Sequence, residues 1–119
     1  MDHDKLDSVG FPRRKLSLKV TIRSNDVFLG CPYNIASYAM LLHLLSKEVN
    51  MIPNDLIMSL GDAHIYMNHI EQCKKQLSQE TYRLPTILLK NYSIDEIRVE
   101  DIKLVDYKSS PPIKGELSN

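Results

Sequence analysis

The chain has 119 residues, and its 15 Lys plus Arg balance 15 Asp plus Glu for a formal net charge of zero. That length fits one small domain with a modest core, and the charge balance leaves no electrostatic footprint for nucleic acid or an anionic membrane. Two cysteines, Cys31 and Cys73, give neither a disulfide framework nor a zinc-type spacing, so a reducing, intracellular compartment and no bound metal are expected.

Residues 1–14 carry mixed charge and no clear period, and they open on a polar stretch unlike a secretory or transit leader. Residues 15–27 alternate: Leu16, Leu18, Val20 and Ile22 fall on one face, and Ser17, Lys19, Thr21 and Arg23 on the other. That pattern predicts a half-buried strand. After Gly30 and Pro32, the spacing of Ile35, Tyr38, Ala39, Leu42, Leu45 and Val49 predicts a helix over 34–49. Met40, Leu41 and Leu44 widen its apolar face until the helix reads as buried nearly all round, although so short a chain can scarcely cover it. Its densest apolar run is far too short to span a bilayer.

Asn50 and Pro53 mark a turn. Residues 56–66 then read as a strand, with Gly61 as a bulge. Asn68 and Glu71 have the spacing of a capping box for a short helix that buries Ile70, Cys73 and Leu77. Candidate strands cover 86–90 and 102–107, and the tail from 109, with Pro111-Pro112, is expected to be extended or disordered.

Two runs carry the functional signal. Arg23-Ser24-Asn25-Asp26-Val27-Phe28-Leu29-Gly30-Cys31-Pro32-Tyr33-Asn34-Ile35-Ala36-Ser37-Tyr38 and Gly61-Asp62-Ala63-His64-Ile65-Tyr66-Met67-Asn68-His69 closely resemble the C-terminal half of thymidylate synthase. The resemblance covers residues 15–114, with a faint echo over 4–12. It implies an α/β fold: part of the thymidylate synthase fold, a mixed sheet with a long buried helix packed on it. An irregular segment over 1–14 precedes the domain part over 15–108, and an extended tail occupies 109–119.

The resemblance also implies roles. Arg23 and Ser24 would hold the phosphate of dUMP, the guanidinium by a charge-assisted contact. The backbone around Asn25 and Asp26 would meet the base, and His64 and Tyr66, two apart on a strand and so on one face, would reach the ribose 3′-hydroxyl. Asp26 and Gly30 would face the co-substrate 5,10-methylenetetrahydrofolate. Asn34 offers a donor and an acceptor together, which matches the uracil edge; enzymes acting on deoxycytidylate tend to place Asp there. The plainer readings stay open: Asn34 as a helix cap, His64 and Tyr66 as half-buried residues satisfying backbone groups, Arg23 as a solvated charge. His64 and His69 straddle a strand-to-helix break and do not make a metal pair.

The family places its nucleophile in a Pro-Cys-His motif ahead of the strand that begins at Lys15. Leu6-Asp7-Ser8-Val9-Gly10-Phe11-Pro12 resembles the run into that motif, but Arg13-Arg14 then leads directly to Lys15. Cys31 occupies a variable position and Cys73 a helix face that reads as core. The chain alone is therefore expected not to make dTMP. The resemblance implies a homodimer, or association with a thymidylate synthase N-terminal half, and a cytoplasmic location with the nucleus as the alternative. A non-catalytic nucleotide-binding module and a relative of the deoxynucleotide hydroxymethylases are the competing readings.

Overall fold

Period-two alternation produces β1 (Lys15–Asp26), in which Leu16, Leu18, Val20 and Ile22 are each half-buried between exposed neighbours. The structure, a computed structural model, describes residues 3–117. A short helix, α1 (His3–Ser8), precedes β1 inside the segment in which no period was visible. Its side of the chain is tied by an Arg13 Nε to Asp7 Oδ1 ion pair of 2.7 Å.

The chain leaves β1 through Gly30 and enters α2 (Cys31–Glu48), with Pro32 in the first turn, where a missing N–H costs nothing. Asn50 ends the helix with a φ of 51°, in the left-handed region that Asn tolerates. Met51 N donates to Ser46 O and Asn50 N to Lys47 O, so the last carbonyls of α2 are satisfied within this reversal. The chain then returns as β2 (Ile52–His64), parallel to β1 and paired with it from Lys15 opposite Ile52 to Asp26 opposite His64. The β2 strand starts ahead of the expected one because Pro53, near the strand's first residue, is compatible with extended structure.

The bulge expected at Gly61 lies elsewhere. Register slips between Leu16 and Leu18, where Ser17 Oγ accepts from Asn54 Nδ2 at 3.1 Å and Asp55 N at 3.2 Å. Gly61 serves a different need: a Cβ there would stand 2.6 Å from Arg23 O, so only glycine fits this closely drawn part of the strand pair.

A 3₁₀ turn (Met67–His69) leads into α3 (Ile70–Leu77). The cap of α3 is His69 rather than Asn68, without a side-chain cap bond, and Glu71 pairs with Lys74 at 2.9 Å. Leu77, expected to be buried, is exposed; Ile70 and Cys73 are half-buried. An antiparallel pair follows, β3 (Thr86–Leu89) with β4 (Ile102–Val105), and Asp106 with φ 60° ends the latter. Lys47 Nζ donates to Tyr92 O, and Ile94 N donates to Glu48 Oε2 at 3.1 Å, which moors the loop between β3 and β4 to the end of α2.

Two expectations need correction. The mixed sheet is in fact two separate two-stranded sheets, one parallel and one antiparallel. The long helix is not buried all round: α2 packs on β1 and β2 through a seam holding Leu42 and Ser46, while Ile35, Met40 and Leu41 are exposed. Leu42 is the one fully buried apolar side chain among the described residues. A radius of gyration of 17.9 Å, against about 13.5 Å for a well-packed chain of this length, has the same cause. The apolar surface that the sequence supplies has too little of this chain to pack against.

Candidate functional site

In a β–α–β unit the carboxyl ends of parallel strands and the start of the crossover helix open on one crevice, the usual place for a ligand. Here that crevice collects nearly all the residues singled out from sequence. Asp26 at the end of β1 lies opposite His64 at the end of β2, Asn25 opposite Ala63, and Ser24 opposite Asp62. Val27 N donates to His64 O at 2.9 Å and closes the ladder.

Asp26 builds the turn out of β1. Its Oδ1 accepts from Phe28 N at 3.1 Å and Leu29 N at 3.0 Å, and its carbonyl accepts from Gly30 N at 2.9 Å. This Asx-type turn delivers Asn34 back toward β1. Asn25, 3% exposed, donates from Nδ2 to Asn34 Oδ1 at 2.8 Å, and its own Oδ1 is buried without a partner. Gly30 sits under this pair: a Cβ would lie 3.2 Å from Asp26 O and 3.5 Å from Asn34 Oδ1. Asn34 does not act as the helix cap, since Gly30 holds that position and no side chain caps it.

His64 Nδ1 stands 3.1 Å from Asp62 O and 3.3 Å from Asp62 Oδ1. Both partners are acceptors, so Nδ1–H is the donor in these contacts, and Nε2 is left to face elsewhere. Tyr66 meets the His64 ring edge-on, with centroids 5.0 Å apart. Arg23 and Ser24 are exposed, and among the described residues the Arg23 guanidinium makes no hydrogen bond or ion pair. The crevice thus brings together an exposed guanidinium, a hydroxyl, an amide held by Asn25 and an imidazole.

Sequence reasoning missed two contributors. It weighed His69 only against a metal role, yet His69 is fully buried, stacked at a tilt on Phe28 with centroids 5.2 Å apart. Its Nε2 donates to Glu116 O at 2.6 Å, while Nδ1 is buried without a partner. Gly115 lies so close that a Cβ would meet Phe28 Cε1 at 2.8 Å and the His69 ring at 3.2 Å. Residues 109–117 form no regular element, and their end is strapped down; the last two residues of the tail expected over 109–119 lie outside the described residues. The second is the side chain of Asn25, for which only a backbone role was expected. Neither partnership is local in sequence, so no spacing pattern signals it.

Two hollows lie away from these groups. One of about 560 Å³ is walled by His3, Asp7, Phe11, Arg13 and Arg14. Another of about 460 Å³ lies between Phe28, Tyr33, Gln76, Tyr107 and Ile113. Arg23, Asn34, His64 and Tyr66 line neither, and their crevice is open. Cys31 and Cys73 are free and half-buried. Among the described residues no cluster of three or more His, Cys, Asp or Glu could hold a metal ion, and no helix is long and apolar enough to cross a membrane.

Comparison with known proteins identifies the family. The chain is 48% identical over 105 residues to the thymidylate synthase of Mycoplasma pneumoniae, covering 87% of this chain and 37% of that enzyme. It is 47% identical over 105 residues to that of Staphylococcus haemolyticus, covering 87% and 33%. The thymidylate synthase of Francisella tularensis subsp. holarctica is 48% identical over 106 residues, covering 87% and 39%. The chain thus spans a little over a third of the length of the relatives it matches. The thymidylate synthase family model matches residues 5–119, through α1 and through the strapped tail. With nearly the whole sequence accounted for, the chain belongs to the thymidylate synthase family.

Proposed function

We propose that this chain forms the dUMP-holding surface of a thymidylate synthase, the enzyme type that transfers a one-carbon unit from 5,10-methylenetetrahydrofolate to C5 of dUMP and reduces it to give dTMP. The observation that carries the reading is the convergence at the strand ends: Asp26 opposite His64, and Asn25 bonded to Asn34. Arg23 and Ser24 take the phosphate. Asn34 reads the uracil edge, and His64 through Nε2, with Tyr66, takes the ribose 3′-hydroxyl. Asp26 spends one carboxylate oxygen on its own turn, which leaves Oδ2 for the folate, and Gly30 keeps the adjoining surface bare.

The chain on its own does not methylate dUMP. Activation of C5 needs a thiolate bonded to C6, a covalent step that no hydrogen bond replaces. Cys31, in the first turn of α2, stands between Gly30 and Pro32, and the Asn34 next along is the residue that faces the base. A partner contributing the remainder of the family's fold, or a second copy, completes the site and covers the exposed side of α2. Free thiols in Cys31 and Cys73 suit the cytoplasm.

Calorimetric titration with dUMP and dCMP tests the binding claim. The expected result is weak, salt-sensitive binding that favours dUMP, with the preference eroded by Asn34→Asp. Equal binding of both nucleotides by both proteins removes the reading. Tritium release from 5-tritiated dUMP tests the catalytic claim: none is expected from the chain alone, and release abolished by Cys31→Ser overturns it.

A further inference from the structure

The uracil edge and the cytosine edge are reversed at two adjacent positions: uracil presents its C4 carbonyl as an acceptor beside N3–H as a donor, and cytosine presents an amine donor beside N3 as an acceptor. An Asn side chain can meet either, because its amide can turn over. Discrimination therefore requires something that holds the amide one way round. We propose that Asn25 is that element, a positioning residue that fixes the amide of Asn34 and so sets its preference for a base bearing a carbonyl; this rests on the nucleotide reading above.

The geometry gives the direction. Asn25 Nδ2 and Asn34 Oδ1 are 2.8 Å apart, and Asn25 is 3% exposed. If both amides were reversed, the Asn25 amino group would become the buried group without an acceptor. As they stand, the orphan is Asn25 Oδ1, a carbonyl, and under-satisfied carbonyls are tolerated better in protein interiors than stranded N–H groups. The Asn34 oxygen is thereby turned toward Asn25, and its amino group, with two donors, is the face left for a ligand. A donor face donates to the uracil carbonyl and opposes the cytosine amine.

The test replaces Asn25 rather than Asn34. Asn25→Ala frees the amide to turn, so the ratio of dUMP to dCMP affinity should fall about tenfold, the scale of one base-edge contact. Asn25→Asp can only accept, so it should turn Asn34 over and move the ratio further, toward dCMP. Any effect of the new charge on the nucleotide phosphate is common to both ligands and cancels in the ratio. In the wild-type protein without ligand, NMR should find the Asn25 side-chain amide protons slow to exchange and those of Asn34 fast. The reverse order overturns the inference, as does an unchanged ratio in variants that bind. Should both variants lose binding altogether, the exchange order decides. Absence of nucleotide binding by the wild-type chain is a different failure and overturns the functional reading itself.

Discussion

Gly61→Ala is the sharpest probe of how the crevice is built. Gly61 has no positive φ, so the substitution asks nothing unusual of the backbone; its cost is steric. The added methyl would stand 2.6 Å from Arg23 O and 3.3 Å from Arg23 C. These are main-chain atoms that cannot rotate aside, so β1 and β2 must separate locally. Overpacking of this kind costs about 3 kcal/mol at the upper end of its range. Removing a glycine returns about 0.5–1 kcal/mol by stiffening the unfolded chain. The net loss is about 2 kcal/mol, roughly thirtyfold in the opening equilibrium of the pair. Amide hydrogen exchange at Ile22, Asn25 and Asp26 measures it directly. Gly10→Ala is the control, since Gly10 has a φ of 71° and nothing within 4 Å: it strains the turn after α1 without touching the strand pair. Exchange in β1 at the wild-type rate or slower in Gly61→Ala would refute the reasoning.

Three further outcomes are expected. His69→Phe keeps the packing on Phe28 but removes the donor to Glu116 O, a loss of about 1 kcal/mol; amides of residues 113–117 should exchange faster while β1 is unchanged. Asp26→Ala strips the acceptor from Phe28 N and Leu29 N and should cost about 2 kcal/mol, read as a lower urea midpoint for the β1–α2 region. The exposed apolar side of α2 should make the free chain associate at micromolar concentration, and Ile35→Lys with Leu41→Lys should shift sedimentation toward the monomer; a monodisperse wild-type monomer contradicts this.

Much of the fold is readable where the cause is local. The alternation from Leu16 to Ile22 specifies β1 because each residue's face is set by its neighbour, and Gly30, Pro32 and Asn50 bracket α2 by their own backbone preferences. Burial is harder to read, because it depends on what lies opposite. Leu77 has the spacing of a core residue and is exposed, and Ile35 and Leu41 are apolar without cover. The same division runs through the site. Asp26, Asn34, His64 and Tyr66 stand in two contiguous runs, whereas the Asn25 to Asn34 bond and the His69 to Glu116 bond join separate parts of the chain.

The parallel pairing of β1 with β2 has a kinetic consequence. Antiparallel neighbours can zip from a turn, but Lys15 meets Ile52 only after the whole of α2 has been traversed. Closing so long a loop costs about 3 kcal/mol of chain entropy before any contact offsets it, and such pairings form slowly. The crevice does not exist until that closure is complete, since Asp26 and His64 belong to opposite sides of it. A molecule that touches both strand ends therefore acts as a clasp, raising the population of the closed form by mass action. Its presence during folding matters as much as its presence afterwards.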